Sequence, residues 1–479
     1  MLTLRPPAIV FRRARFTSDT LTGQALAWRD ALRGPLGASS GPVAMVMTNE
    51  PASVALLFAL SALPAPLVLL PPDLAPGRSA LRLPPDARLV LREEQQDLAV
   101  QARAGGLRTV VAPAVAAPPA PAASPAFMAT PGIVLFTSGS LGEPRPVYRR
   151  TAAFLAVARA LVRALDLPAG AGVIGALPLG RAFGLNHGLM AAAVLGAPLA
   201  LLDRFDHGAV LRLFASGRYG YWAGTPVMAD VLGRCQGPAA QPAPPVCAVG
   251  GAVTADLARR FEDRFGVRLR QVYGMTEIGT IAVDGTPAGA PPTVRASRPL
   301  PGVGVRVGDD PRAPEPPGTV GRIWVSAPGF AMEGYGVPPA LEPPATVEGW
   351  WGTPDLGRLD AAGWLEVLGR VDDRIRTDAG HVLDPATVLA ALDGWPGVRE
   401  AAVVPLGAAG ASGLGLLLET AGALSVAALR AHLAQALPAW SCPRIIETTA
   451  ALPRLPGGRI DRRACIARLE RASGHDPAG

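Results

Sequence analysis

Lysine is absent from this chain: from Met1 to Gly479, all 45 basic residues are arginine. Lysine is ordinarily among the commonest residues, and 55 glycines and 51 prolines point to a compositional drift that displaced it. Its absence excludes a P-loop, which needs a Gly-Lys-Ser/Thr ending. Cysteine is scarce. Cys235, Cys247, Cys442 and Cys465 form no CxxC pair and no metal-ligand spacing with histidine, which argues against zinc and a disulfide framework and fits a reducing cytoplasm. Aromatics are only 5% of the chain, too few for base-stacking platforms, and no basic run is interleaved with them. The formal charge of +7 therefore predicts a small anionic ligand rather than nucleic acid. Long apolar runs are missing too: those at 54–70 and 188–202 are broken by Pro64 and Pro66, or by Pro198, so no membrane span is expected. Residues 1–19 alternate apolar residues with arginines and lack a signal-peptide core, so no export is expected.

What is present can bury a large core. With 479 residues and 49% hydrophobic content, the chain should form two or three domains. A strand at 43–47, a helix opening at Asn49-Glu50-Pro51 and a strand at 67–70 read as a βαβ unit with a right-handed crossover and a parallel sheet, continued by strands at 89–91 and 109–111. Residues 112–131, almost wholly Ala and Pro, read as an exposed linker. Phe154, Leu155, Val157, Ala158, Leu161 and Leu165 mark a helix over 151–165. Strands follow at 172–176, around Tyr221, at 246–252 and at 269–272. Short strands at 305–307 and 321–325 suggest a smaller β-rich part, with a further strand at 364–368. Beyond 373, helices at 384–392 and 425–437 alternate with strands at 400–404, 414–418 and 444–447 as a compact α+β unit.

The densest chemistry lies in Thr137-Ser138-Gly139-Ser140-Leu141-Gly142-Glu143-Pro144-Arg145, directly after the apolar run 132–136. Glycines let backbone N–H groups converge on phosphate oxygens, hydroxyls add neutral donors, and Arg145 adds fixed charge. Locally, an ordinary Gly/Ser-rich connection would read the same way. Three further stretches follow in order: Tyr273-Gly-Met-Thr-Glu277, Thr353-Pro-Asp-Leu-Gly-Arg358 and Gly369-Arg-Val-Asp-Asp373.

Together these ordered motifs resemble the adenylate-forming superfamily of acyl- and aryl-CoA synthetases, carrier-protein ligases, luciferases and peptide-synthetase adenylation domains. The resemblance runs from about Pro42 to Arg463. It implies an α/β fold: a large N-terminal adenylate-forming domain at 1–370, built of layered α/β subdomains plus a small β-rich one, and a small mobile α+β C-terminal domain at 371–479. The hinge is expected near Asp372. The implied reaction activates a carboxylic acid with ATP and Mg2+ to an acyl adenylate, releasing pyrophosphate, then transfers it to the thiol of CoA or of a carrier protein's phosphopantetheine. An amine acceptor, or a degenerate nucleotide-binding homologue without activity, is the alternative.

By the same resemblance, Thr137, Ser138, Gly139, Ser140, Gly142 and Arg145 would cradle phosphates, and Gly250, Gly251 and Ala252 would lie beside adenine and substrate. Tyr273 and Gly274 would face the adenine, Thr276 the α-phosphate, Glu277 the Mg2+ and Asp355 both ribose hydroxyls; Arg370 would touch ribose or phosphate. Arg459 stands where the family carries its catalytic lysine. Arg181, Phe183 and Gly184 fall at the acyl pocket, where Arg181 would favour a polar or anionic tail, although a surface arginine reads equally well. His187 reads as an ordinary helix residue. Departures from the family pattern are Arg145, Arg376 and Arg459 for lysines, Leu141 for a hydroxyl residue, and Pro354 and Ala379 for glycines. The lack of lysine accounts for the first three.

Overall fold

The computed structural model describes residues 4–37, 41–74, 83–115, 127–137, 144–235, 244–251, 253–285, 296–371, 374–376, 382–383, 385–392, 395–407, 413–420, 422, 424–454 and 460–472. Ser138, Gly139, Ser140, Leu141, Gly142, Ala252, Asp372, Ala379 and Arg459 lie outside the described residues, as does the Arg376 side chain.

An eight-stranded sheet forms around the βαβ unit read from the sequence. Val43–Val46 and Leu67–Leu70 pair in parallel on either side of helix Pro51–Ser61, and Arg88–Arg92, Arg108–Ala112 and Gly132–Phe136 extend the parallel set. Every residue of Val43–Val46, Leu67–Leu70 and Gly132–Phe136 is buried, as expected when a parallel sheet is covered on both faces and its strands become unbroken apolar runs. Pro51 opens the helix at a position where no backbone N–H is needed.

The second sheet has fourteen strands. Ile9–Phe11, Leu199–Leu201, Gly172–Gly175, Tyr219–Gly224, Val246–Gly250 and Leu269–Met275 run in parallel; Gly279–Val283 then turns back antiparallel. The small β-rich part predicted from the sequence is edge-continuous with this sheet. Ala296–Pro299 joins Gly279–Val283 to Leu365–Arg370, which leads on to Trp350–Leu359, Gly321–Ser326 and Gly304–Val307. Helix Thr151–Ala164 and its neighbours fill the space between the sheets, in one cluster that includes Leu135, Phe154, Val157, Leu189 and Ile281. Asn49 links the two layers with its buried amide: Nδ2 donates to the Leu177 and Leu202 carbonyls and Oδ1 accepts from the Leu179 N–H.

The C-terminal segment has its own three-stranded sheet, Val398–Pro405, Leu414–Thr420 and Ile445–Thr449. Its two apolar clusters draw their buried members only from residues 375–469. Helix Arg462–Ala472, unforeseen in the sequence, closes one of them with Cys465 and Leu469. The exposed linker expected at 112–131 is overturned at its end: Phe127, Met128 and Thr130 are buried, and the Met128 and Thr130 N–H groups donate to Ser61. No described helix is long and apolar enough to cross a membrane.

Candidate active site

The hydroxyl-glycine stretch joins two paired strands, of which Thr137 and Arg145 are the described flanks. Gly132–Phe136 and Pro146–Arg150 pair antiparallel, the Thr137 N–H donates to the Arg145 carbonyl, and the Arg145 N–H donates to Thr137 Oγ1, both at 3.0 Å. The Thr137 hydroxyl oxygen thus accepts across the neck of the loop, which leaves its O–H as a donor. Arg145 lies over the Tyr335 ring, 3.6 Å from Cζ to the centroid, with Glu342 3.8 Å away.

Tyr335 connects this cation to the next motif. Its hydroxyl donates to Glu277 Oε1 at 3.1 Å. Thr276 and Glu277 form the turn between Leu269–Met275 and Gly279–Val283, so Tyr273 and Gly274 belong to the strand rather than following it. Burial pushes the Glu277 carboxyl above its usual range, while the Tyr335 hydroxyl and Arg145 draw it back down. A carboxylate so placed is short of water and open to a cation.

On the other side of the same strand end, the Tyr273 hydroxyl donates to Asp355 Oδ2 at 2.8 Å. Asp355 and Arg370 are register partners on adjacent antiparallel strands, with Arg370 Nη1 3.9 Å from Asp355 Oδ1. The Asp355 N–H donates to Thr353 Oγ1, and the strand Trp350–Leu359 runs on through Pro354. Burial first, then the Asp355 charge, raises the Tyr273 phenol well above its ordinary value, so it remains a donor.

Gly250 ends its strand against the Phe183 ring; a Cβ there would fall 2.9 Å from two ring carbons, so a larger residue would have to displace the ring. Gly251 follows in an exposed bend, and Gly184 closes the short turn Ala182–Gly184. Phe183 packs in turn against His187 with the rings tilted by 51° and their centroids 4.2 Å apart. His187 occupies a π-helical turn, Leu185–Met190, and is fully buried, with Nδ1 at 2.6 Å from the Tyr221 hydroxyl and Nε2 at 2.9 Å from Thr280 Oγ1. Burial lowers its pKa to about 3, so the ring is neutral. It is a helix residue, as expected, locked by two polar partners, of which Thr280 lies three positions beyond Glu277 in sequence.

Arg181 pairs with Asp73 at 2.6 Å and reaches the Thr137 carbonyl at 3.5 Å. It thus stands beside the neck of the hydroxyl-glycine loop. Sequence reading missed Tyr335, Asp73 and Arg149. Only Tyr335 carried a signal, an aromatic between two glycines, shared by many turns.

Two layered sheets, the Thr137–Arg145 neck below the hydroxyl-glycine stretch and two carboxylates, Glu277 in the turn after Leu269–Met275 and Asp355 within Trp350–Leu359, define an α/β enzyme of the adenylate-forming class. The chain belongs to the AMP-binding enzyme family, whose pattern matches residues 4–336. Feruloyl-CoA synthase of Amycolatopsis sp is 29% identical over 336 residues, 68% of this chain and 68% of that protein. Among solved structures, ATP-bound MatB from Rhodopseudomonas palustris matches with a TM-score of 0.82 at 20% identity, covering 99% of this chain and 98% of that one. The amide bond synthetase McbA from Marinactinospora thermotolerans gives 0.80 at 24% identity, with 98% of each chain covered. At such identities the two structures speak for the fold.

Proposed function

We propose that the chain activates a carboxylic acid with ATP, releasing pyrophosphate, and passes the acyl group from the adenylate to a thiol, that of CoA or of a carrier protein's phosphopantetheine. One observation carries this reading: a single strand end brings Tyr273 to Asp355 and, four residues on, Glu277 to Tyr335 and Arg145. A ribose-binding carboxylate and a metal-binding carboxylate are thereby spaced along one nucleotide. The feruloyl-CoA synthase relative supports a CoA-linked outcome.

In the first half-reaction an oxygen of the acid bonds to the α-phosphorus as the bond to the β-phosphate oxygen breaks. Positioned donors supply most of the stabilisation of such transfers. The hairpin loop from Thr137 through Gly142, together with Arg145, would hold the phosphates, and Thr276, Arg370 and Arg459 would face the α-phosphate. Asp355 would accept from the ribose hydroxyls, and Tyr273 and Gly250 to Ala252 would bound the adenine. Among the described residues no group of three or more His, Cys, Asp or Glu side chains converges on a metal position, so Mg2+ would take Glu277 together with phosphate and water oxygens, as it prefers. When bound, it would neutralise charge on the departing pyrophosphate. In the second half-reaction the thiol sulfur bonds to the acyl carbon and AMP leaves. Residues 371–479 would act as a lid turning near Asp372, a division supported by their separate sheet and cores. A cytoplasmic setting fits the four free cysteines.

Pyrophosphate–ATP exchange against aromatic and aliphatic acids, with and without CoA and beside Arg459→Ala, tests this. Acid-dependent exchange that is lost in the variant and accelerated to product by CoA is expected. Exchange indifferent to every thiol would move the reading to an amine acceptor, and ATP binding without exchange to a non-catalytic homologue.

A further inference from the structure

Arg149 is fully buried, yet neither terminal guanidinium nitrogen has a hydrogen-bond partner among the described residues. Only Nε is satisfied, donating to the Phe330 carbonyl at 2.9 Å. The guanidinium lies over the Phe154 ring, 4.4 Å from Cζ to the centroid. On its other face it covers Gly279, where a Cβ would fall 3.0 and 3.1 Å from the two terminal nitrogens. Burying a charge with its donors unmade is costly, and an apolar side chain would fill the same space without that penalty. The position therefore calls for a use of the donor and the charge.

Its neighbours supply one. Three consecutive residues of Pro146–Arg150 hold the segment from Phe330 to Glu333. The Tyr148 carbonyl accepts from the Glu333 N–H at 2.9 Å, Arg149 donates to Phe330, and Arg150 pairs with the Glu333 carboxylate at 2.9 Å. That segment grips Glu277 in turn: the Met332 N–H donates to the Glu277 carbonyl at 2.7 Å, and Tyr335, two residues past Glu333, holds the Glu277 carboxylate. Burial lowers the Arg149 pKa to about 9, and the Glu277 charge partly offsets that.

We propose that Arg149 is a positioning residue for Glu277, fixing through the Phe330 carbonyl the segment that grips both the backbone and the carboxylate of Glu277. It acts on Glu277 through that segment and makes no direct contact with the carboxylate among the hydrogen bonds and ion pairs of the described residues. The proposal rests on the adenylation reading, in which Glu277 holds Mg2+.

Calorimetric ATP binding, in Mg2+ and in EDTA, tests it without turnover. R149M, which keeps most of the volume but drops charge and donor, should cut the Mg2+-dependent gain in ATP affinity roughly 10-fold, with affinity in EDTA changed less than about 2-fold. R149K should restore part of that gain by keeping the charge. In an E277Q background, R149M should add less than about 2-fold, because the residue acts through Glu277. Equal losses in Mg2+ and EDTA, additive losses in the two backgrounds, or a wild-type chain that gains nothing from Mg2+ would each overturn the proposal. If R149M does not fold, R149K in both backgrounds decides by the same criteria. Wild-type pyrophosphate exchange, run alongside, separates the two levels: exchange with additive variants sinks only the role of Arg149, whereas no acid-dependent exchange sinks the adenylation reading.

Discussion

Tyr273 and Asp355, 82 positions apart in sequence, meet through a hydrogen bond of 2.8 Å from phenol to carboxylate. The bond orients a short ionised acceptor that Arg370 faces from the neighbouring strand. Hydrogen bonds to charged groups contribute about 1.5–3 kcal/mol. Tyr273→Phe, which keeps the ring and removes the hydroxyl, should lower kcat/KM for ATP by roughly 10- to 100-fold in the exchange assay. An unchanged value would mean that Asp355 needs no support from the phenol.

Tyr335 serves two partners, Glu277 through its hydroxyl and Arg145 through its ring. Substitutions can separate them. Tyr335→Phe removes only the hydrogen bond and should raise the Mg2+ concentration required for half-maximal exchange by roughly 5-fold, from about 1 kcal/mol. Tyr335→Ala also removes the cation–π contact, worth about 0.5–2 kcal/mol, and should raise KM for ATP in addition. Equal ATP defects in the two variants would show that Arg145 does not depend on the ring.

The Arg181–Asp73 pair sits at the loop neck and is partly exposed, with 27% of the arginine side chain and 63% of the aspartate side chain accessible. Exposed pairs are worth about 0.2–1 kcal/mol, so Arg181→Ala should raise KM for ATP by only about 2- to 5-fold. The order of preference among acids should not change. A reordered acid panel would return Arg181 to the acyl pocket.

The parts of the site that were legible in the sequence lie in contiguous runs. Tyr273 to Glu277 and Thr353 to Arg358 each put their reactive groups within a few residues, so spacing alone marked them. Tyr335 and Arg149 reach Glu277 and Phe330 because Gly334–Val337 pairs with Pro146–Arg150, strands almost two hundred residues apart in sequence, and no local pattern records such a meeting. The same holds for the fold. Apolar runs and turn residues predicted most strands and helices, but the continuity of the β-rich part with the large sheet depends on Ala296–Pro299 finding two distant edges. Helix Arg462–Ala472 was hidden by its arginines, which dilute the apolar spacing of Cys465 and Leu469. Phe127 and Met128 were hidden by the Ala/Pro run before them, though they bury against the first layer of helices.

His187 makes a stability prediction whose sign follows from its burial. Its folded-state pKa falls from 6.5 to about 3, because the ring is sealed between Phe183, Tyr221 and Thr280 and cannot take a proton cheaply. In the unfolded chain the ring protonates near 6.5. Between those values the unfolded state binds the extra proton, so the stability contributed by the neutral ring is complete above pH 6.5 and drains as the pH falls toward 3. The slope is about 1.4 kcal/mol per pH unit, so about 2 kcal/mol should be lost between pH 6.5 and pH 5. His187→Gln removes the titration but keeps a polar side chain. The difference in unfolding free energy between the wild type and this variant, taken from urea titrations, should therefore shift by about 2 kcal/mol against the wild type over that interval. A difference that stays constant with pH would place His187 in contact with water or with a carboxylate, and would overturn the sealed network of Phe183, Tyr221 and Thr280 around it.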